Sequence, residues 1–203
     1  TQVKDFPKTD VSLVSDMSSD IFSRQLDFSQ FDLIYAGAQK NMGPAGTTLV
    51  VVKEEILGKS GRAIPAMLDY KIHIDNESMY NTPAVYAVYV SLLNLRWLKN
   101  LGGIAAIEKI NDHKAQLLYN EIDRNPLFTG TCEVEDRSPM NVCFLLKDDA
   151  HKEAFDKLWK AANISGINGH RSVGGYRASM YNALAVESVQ ALVDCMKELE
   201  NKI

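Results

Sequence analysis

The chain has 203 residues, enough for one large domain or two small ones; with 46% hydrophobic and 24% charged residues it is neither disordered nor fibrous in composition. Its 26 acidic and 22 basic residues leave a net charge of -4, a balance that gives no electrostatic footprint for nucleic acid, which calls for a basic stripe or a strongly basic domain. Cys132, Cys143 and Cys195 are widely spaced and form no CxxC pair, so they read as reduced thiols of a cytosolic protein rather than as a zinc or redox site.

The amino end, TQVKDFPKTD, has no initiator methionine and no apolar core of a signal peptide, and is expected to be a cut. VSLVSDMSS (11–19) and DLIYAG (32–37) are short apolar runs bounded by polar residues or glycine, as expected of buried strands in a parallel sheet. TTLVVVKEE (47–55), rich in β-branched residues, predicts a third strand. Between the first two, DIFSRQLDFSQF has room for only a turn or two of helix. From Pro83 the pattern turns helical: residues 83–103 open on a proline in the expected first turn and close on Gly102 and Gly103. The apolar-rich part of this run, AVYAVYVSLLNL, falls short of the roughly 20 residues that cross a bilayer, so no membrane partner is expected.

A second long helix over 104–125 carries Ile107, Ile110, Leu117, Leu118 and Ile122 at near-helical spacing. Then follow a strand (140–147), a helix (150–164), a strand (174–182) and a terminal helix (186–203), the pattern of a small α/β layer. A boundary is expected near residue 105, separating residues 1–105 from 106–203.

DLIYAGAQKNMGPAG (32–46) carries the chemistry. An apolar strand runs through small residues into Lys40, and a lysine that is held and partly desolvated can attack a carbonyl. Taken alone, a lysine is ordinarily a solvent-facing residue. Asp16 changes the weighing, because it ends the first strand as Lys40 follows the second, and ligands of open parallel sheets gather outside the carboxyl ends of the strands. Such a pair suits pyridoxal phosphate: the lysine forms the Schiff base, and the carboxylate keeps the pyridine nitrogen protonated so that the ring is an electron sink. The plainer reading of Asp16 is a turn carboxylate, since SDMSSD is rich in residues that bond their own backbone. GHRSVGGYR (169–177) offers two arginines, whose planar forks suit carboxylate or phosphate, though the same stretch reads as a solvated glycine loop.

Together SDMSSDIFSR, YAGAQKNMGPAG, SMYNTP and GHRSVGGYRAS resemble the phosphoserine aminotransferases, pyridoxal-phosphate enzymes of serine synthesis in the class V, fold type I group. The resemblance covers nearly the whole chain in order. It implies an α/β fold: an incomplete fold type I large domain, part of a mainly parallel sheet, over residues 1–105, and a small carboxyl-terminal α/β domain with its linking helix over 106–203. Lys40 matches the lysine that carries the cofactor, Asp16 the partner of the pyridinium nitrogen, and Gln39 a residue at the cofactor phosphate. Asn81 and Thr82 match residues that reach the phosphate across a homodimer interface, although before Pro83 they also read as a helix cap. Arg177 matches the grip on the substrate α-carboxylate, and His170 and Arg171 the residues that receive the distal anionic group. The implied substrates are glutamate, 3-phosphohydroxypyruvate, phosphoserine and 2-oxoglutarate, in the cytoplasm.

Family members are much longer at the amino end. No residue here matches their glycine–arginine pair at the phosphate, their aromatic residue stacked on the ring, or a further substrate arginine, so this chain is expected to be an inactive carboxyl-terminal portion. Two other readings stand beside it. One is a non-catalytic α/β fragment serving packing or dimerisation; the other is a class V relative such as a cysteine desulfurase, which calls for a reactive cysteine on a mobile loop.

Overall fold

A computed structural model describes residues 1–169 and 174–203 and resolves them into two compact units, Phe6–Ile104 and a second made of Thr1–Asp5 with Ala105–Ile203. In the first unit, strands β1 (Val14–Asp16), β2 (Leu33–Gly37) and β3 (Thr48–Val52) form one sheet in that order. β1 runs parallel to β2, with Val14 opposite Leu33 and Asp16 opposite Tyr35. β3 is antiparallel to β2, so the sheet is not parallel throughout. The reason is local: Ala38 N–H donates to Thr47 O at 3.0 Å, closing a loop that returns the chain directly, with Gly46 at φ 120°.

Alternation along β2 sends Ile34 and Ala36 inward and leaves Tyr35 exposed. Ile34 and Ala36 join Met17, Ile21 and Phe31 in a small core, and Phe6 meets the Phe31 ring edge-on at 4.7 Å. Asp32 ties the strand ends, accepting from Leu13 N–H at 2.7 Å and Lys53 Nζ at 3.0 Å. The extended run expected over 11–19 pairs only at Val14–Asp16, because the chain then turns sharply: the N–H groups of Asp20 and Ile21 both donate to Met17 O.

Helix α1 (Tyr70–Asp75), capped by Asp69, has no counterpart in the sequence reading. Its six residues are too few to show a helical period. Helix α2 (Val85–Asn100) starts two residues after Pro83, which therefore precedes the first turn, and it ends at Gly102 and Gly103, with φ of 112° and 75°. The loop after β2 packs tightly on α2, since a Cβ on Gly43 would lie 2.3 Å from Ser91 Oγ and 3.0 Å from Ser91 Cα.

In the second unit, helix α3 (Ile104–Arg124) is followed by β4 (Phe128–Gly130), β5 (Asn141–Leu146), α4 (Lys152–Ala161), β6 (Tyr176–Ser179) and α5 (Val186–Lys202). The sheet order is β4-β5-β6, antiparallel throughout. β4, only three residues long, was not expected from the sequence. Val142 and Phe144 of β5 point into a core with Phe128, Phe155, Tyr176 and Met196, where edge-on aromatic contacts dominate. All three cysteines are free thiols; Cys195 is buried, and Cys132 and Cys143 are half-buried.

Lys114 of α3 is fully buried, and its Nζ donates to the carbonyl oxygens of Met180, Tyr181 and Leu184 at 3.1, 3.0 and 3.2 Å. One turn earlier, Asn111 Nδ2 donates to Asn182 Oδ1 at 2.9 Å. These two α3 residues fix the turn that follows β6. Desolvation draws the Lys114 ammonium down to about 8 from 10.5.

Two predictions follow from this packing. Gly43→Ala is expected to cost about 1–3 kcal/mol in a denaturation experiment. Adding Ser91→Ala should recover part of that loss, because it removes Oγ but leaves Cα at 3.0 Å. For Lys114, the folded chain releases the proton near pH 8 while the unfolded chain keeps it to about 10.5, so stability rises with pH across that window. Denaturation of wild type and Lys114→Met in parallel from pH 7 to 10.5 should show wild type gaining roughly 3 kcal/mol relative to the variant.

Candidate active site

The parallel β1–β2 pair carries Asp16 to one strand end and delivers Lys40 just beyond the next. Asp16 Oδ1 accepts from Ser18 N–H at 2.8 Å. Its carboxyl is held below the usual range first by the Ser18 hydroxyl and then by that N–H; the Tyr35 hydroxyl and the charge of Lys40 contribute further. The effect on Tyr35 is reciprocal, its phenol being pushed up chiefly by the Asp16 charge. Asp16 is thus an anion at neutral pH on an exposed strand end. Ser18 also ties the two strands, its Oγ accepting from Gly37 N–H at 3.0 Å.

Lys40 is half-buried, and its Nζ donates to Ser19 Oγ. The next residue, Asn41, is buried, and its Nδ2 donates to Ser19 O at 3.3 Å and Ile21 O at 3.2 Å. Asn94 of α2 holds the Asn41 carbonyl oxygen at 2.9 Å. With Met42 N–H and Gly43 N–H both donating to Ala38 O, at 3.1 and 2.7 Å, the turn carrying Lys40 is fixed along its length. Gln39 is exposed and folds back over Gly37, where an added Cβ would lie 2.5 Å from Gln39 Oε1.

Asn81 and Thr82 are exposed in the loop before α2, and the Asn81 side-chain amide donates to Thr82 O at 3.1 Å. Arg177 lies in the second unit, on β6 opposite Cys143, and alternation with buried Tyr176 and Ala178 turns it to the exposed face. His170 and Arg171 lie outside the described residues. A cavity of about 340 Å³ in the second unit, bordered by Ile164, Ser165, Met180, Ser188 and Leu192, has no ionisable residue among its described lining.

The sequence reading missed Ser18, Ser19, Tyr35, Asn41 and Asn94. SDMSSD gave the signal for the serines, but it was taken as local turn chemistry; one serine bonds to a strand and the other to a lysine, both distant in sequence. Asn94 gave none, since a helix asparagine is an ordinary surface residue until its partner is known.

Comparison with known proteins gives consistent results. Residues 2–192 match the family model described as aminotransferase class-V. The phosphoserine aminotransferase of Flavobacterium johnsoniae is 72% identical over 203 residues, all of this chain and 57% of that relative. Phosphoserine aminotransferase from Bacillus circulans subsp. alkalophilus superposes with a TM-score of 0.94 at 42% identity, over 99% of this chain and 56% of the other. PLP-bound phosphoserine aminotransferase from Trichomonas vaginalis gives 0.88 at 37% identity, over 95% and 55%. The chain therefore spans a little over half the length of the relatives it matches.

Proposed function

The chain belongs to the class-V aminotransferase family, and on that premise we propose that it serves a pyridoxal-phosphate-dependent phosphoserine aminotransferase. The reaction exchanges an amino group between glutamate and 3-phosphohydroxypyruvate, giving 2-oxoglutarate and phosphoserine. The observation that carries the proposal is the placement of an ionised Asp16 and of Lys40 at the same end of a parallel strand pair.

The donor set fits the cofactor. A primary amine on a fixed turn can bind an aldehyde, and a carboxylate that stays ionised can hold a proton on a pyridine nitrogen. Gln39 offers an exposed amide to the phosphate, and Asn81 and Thr82 offer an amide and a hydroxyl to the phosphate of a second copy in a homodimer. The exposed Tyr86, Tyr89 and Leu92 of the adjoining α2 support such a pairing, since exposed apolar faces commonly meet a partner. When bound, pyridoxal phosphate supplies an electron sink for the electron pair left as the substrate α-carbon loses its proton. Asp16 would hold the proton on the ring nitrogen. Lys40 Nζ would hold the cofactor through its aldehyde and would serve as the base for the proton on the substrate α-carbon. The Arg177 guanidinium, unpaired among the described residues, receives the α-carboxylate by a bidentate grip, while His170 and Arg171 take the distal phosphate or carboxylate. The substrates are small and water-soluble, in keeping with a cytoplasmic enzyme.

The test begins with binding. The chain is mixed with pyridoxal phosphate, reduced with borohydride and mapped by mass spectrometry, with and without a separately supplied amino-terminal segment of a phosphoserine aminotransferase. A pyridoxyl adduct on Lys40 is expected, and Lys40→Ala should abolish it; no adduct under either condition ends the proposal. Asp16→Asn should keep the adduct but slow α-proton exchange of glutamate, followed by NMR in the reconstituted protein, by about 100-fold or more. If exchange proceeds in the wild type but 3-phosphohydroxypyruvate accepts no amino group, the family stands and the substrate does not.

A further inference from the structure

We propose that Ser19 is a positioning residue for Lys40, its hydroxyl being the point to which the amine is tied whenever it is not bound to a carbonyl. The inference rests on the reading of Lys40 as the cofactor-bearing lysine. Its basis is the hydrogen bond from Lys40 Nζ to Ser19 Oγ, made across 21 positions of sequence.

Ser19 is itself held in place by the same turn. Asn41, the neighbour of Lys40, grips the carbonyl oxygens of Ser19 and Ile21 at 3.3 and 3.2 Å, and Asn94 anchors Asn41 in turn. Two consecutive side chains of one turn therefore clasp one short segment. The lysine stem has four rotatable carbons, and a fixed hydroxyl at its end removes much of the rotamer freedom that otherwise has to be lost when the amine meets an aldehyde.

The nearby acids have bonding partners of their own. Asp16 is held by Ser18, and Asp20 meets Arg24 at 3.1 Å and Ser23 Oγ at 2.7 Å. The hydroxyl that accepts from the amine is itself neutral. A hydroxyl can accept from an ammonium N–H or donate to an amine lone pair, so it suits both protonation states of a lysine that must gain and lose a proton. A carboxylate in its place would favour the ammonium form.

The test is time-resolved borohydride trapping of the pyridoxyl adduct on Lys40 at several pH values, with the thermal midpoint of each variant as a folding control. Ser19→Ala should slow capture by about tenfold, the worth of one hydrogen bond, with the thermal midpoint little changed. Ser19→Thr should restore most of the rate. Ser19→Asp should move the midpoint of the pH profile for capture upward by about one unit or more. Capture by Ser19→Ala at the wild-type rate, or Ser19→Thr as slow as Ser19→Ala, overturns the inference. So does an unshifted profile in Ser19→Asp. Failure of the underlying reading is distinguishable, because the wild-type chain itself would then form no adduct on Lys40.

Discussion

The candidate site depends above all on the parallel pairing of β1 with β2. Because Asp16 lies opposite Tyr35, the last residue of one strand and the exit of the next meet at the same end of the sheet. An antiparallel pairing would place the segment after β1 beside the start of β2, separating the carboxylate from the lysine turn by the strand's length. A slip of one residue would be nearly as harmful, since it would turn Asp16 to the face occupied by Ile34 and Ala36. Asp32 guards this register at the far end, bonding the backbone before β1 and the lysine after β3. Gly37 guards it at the near end by donating to Ser18.

Much of this was legible in the sequence because it depends on period and punctuation. The alternation in LIYAG, the small residues before Lys40 and the paired glycines after α2 each have one physical meaning, and the structure follows it. Lys40 and Asp16 stand out by combining two strand ends with a rule about where ligands gather, an argument that needs only local patterns. Strand direction was harder. β3 has the β-branched content of a buried strand, but composition does not tell parallel from antiparallel; that was decided by the bond from Ala38 to Thr47 across a loop.

What escaped the sequence reading was mostly hydrogen bonding between neutral residues. Ser19 and Asn94 are polar, common and unremarked in sequence, and their meaning comes from partners 21 and 53 positions away. Short elements escaped for another reason. β4 has three residues and α1 has six, lengths at which no hydrophobic period can be counted, and both are held by what surrounds them. Phe128 of β4, for example, is fixed by edge-on contacts with Phe144 and Phe155 rather than by any preference of its own segment.

Lys114 and Lys40 show how differently one residue type can be held. Lys114 donates to three main-chain carbonyls in a fully buried site, and withdrawing the side chain would leave three acceptors without a donor in the core. Burial disfavours its ammonium, drawing it down to about 8, yet three hydrogen bonds hold it in place. Lys40 is half-exposed and donates to a side-chain hydroxyl, which can rotate to water or to another partner once the amine leaves. A lysine that must exchange partners needs a hold that is directional but easily surrendered, and a serine hydroxyl on a clamped turn meets both conditions.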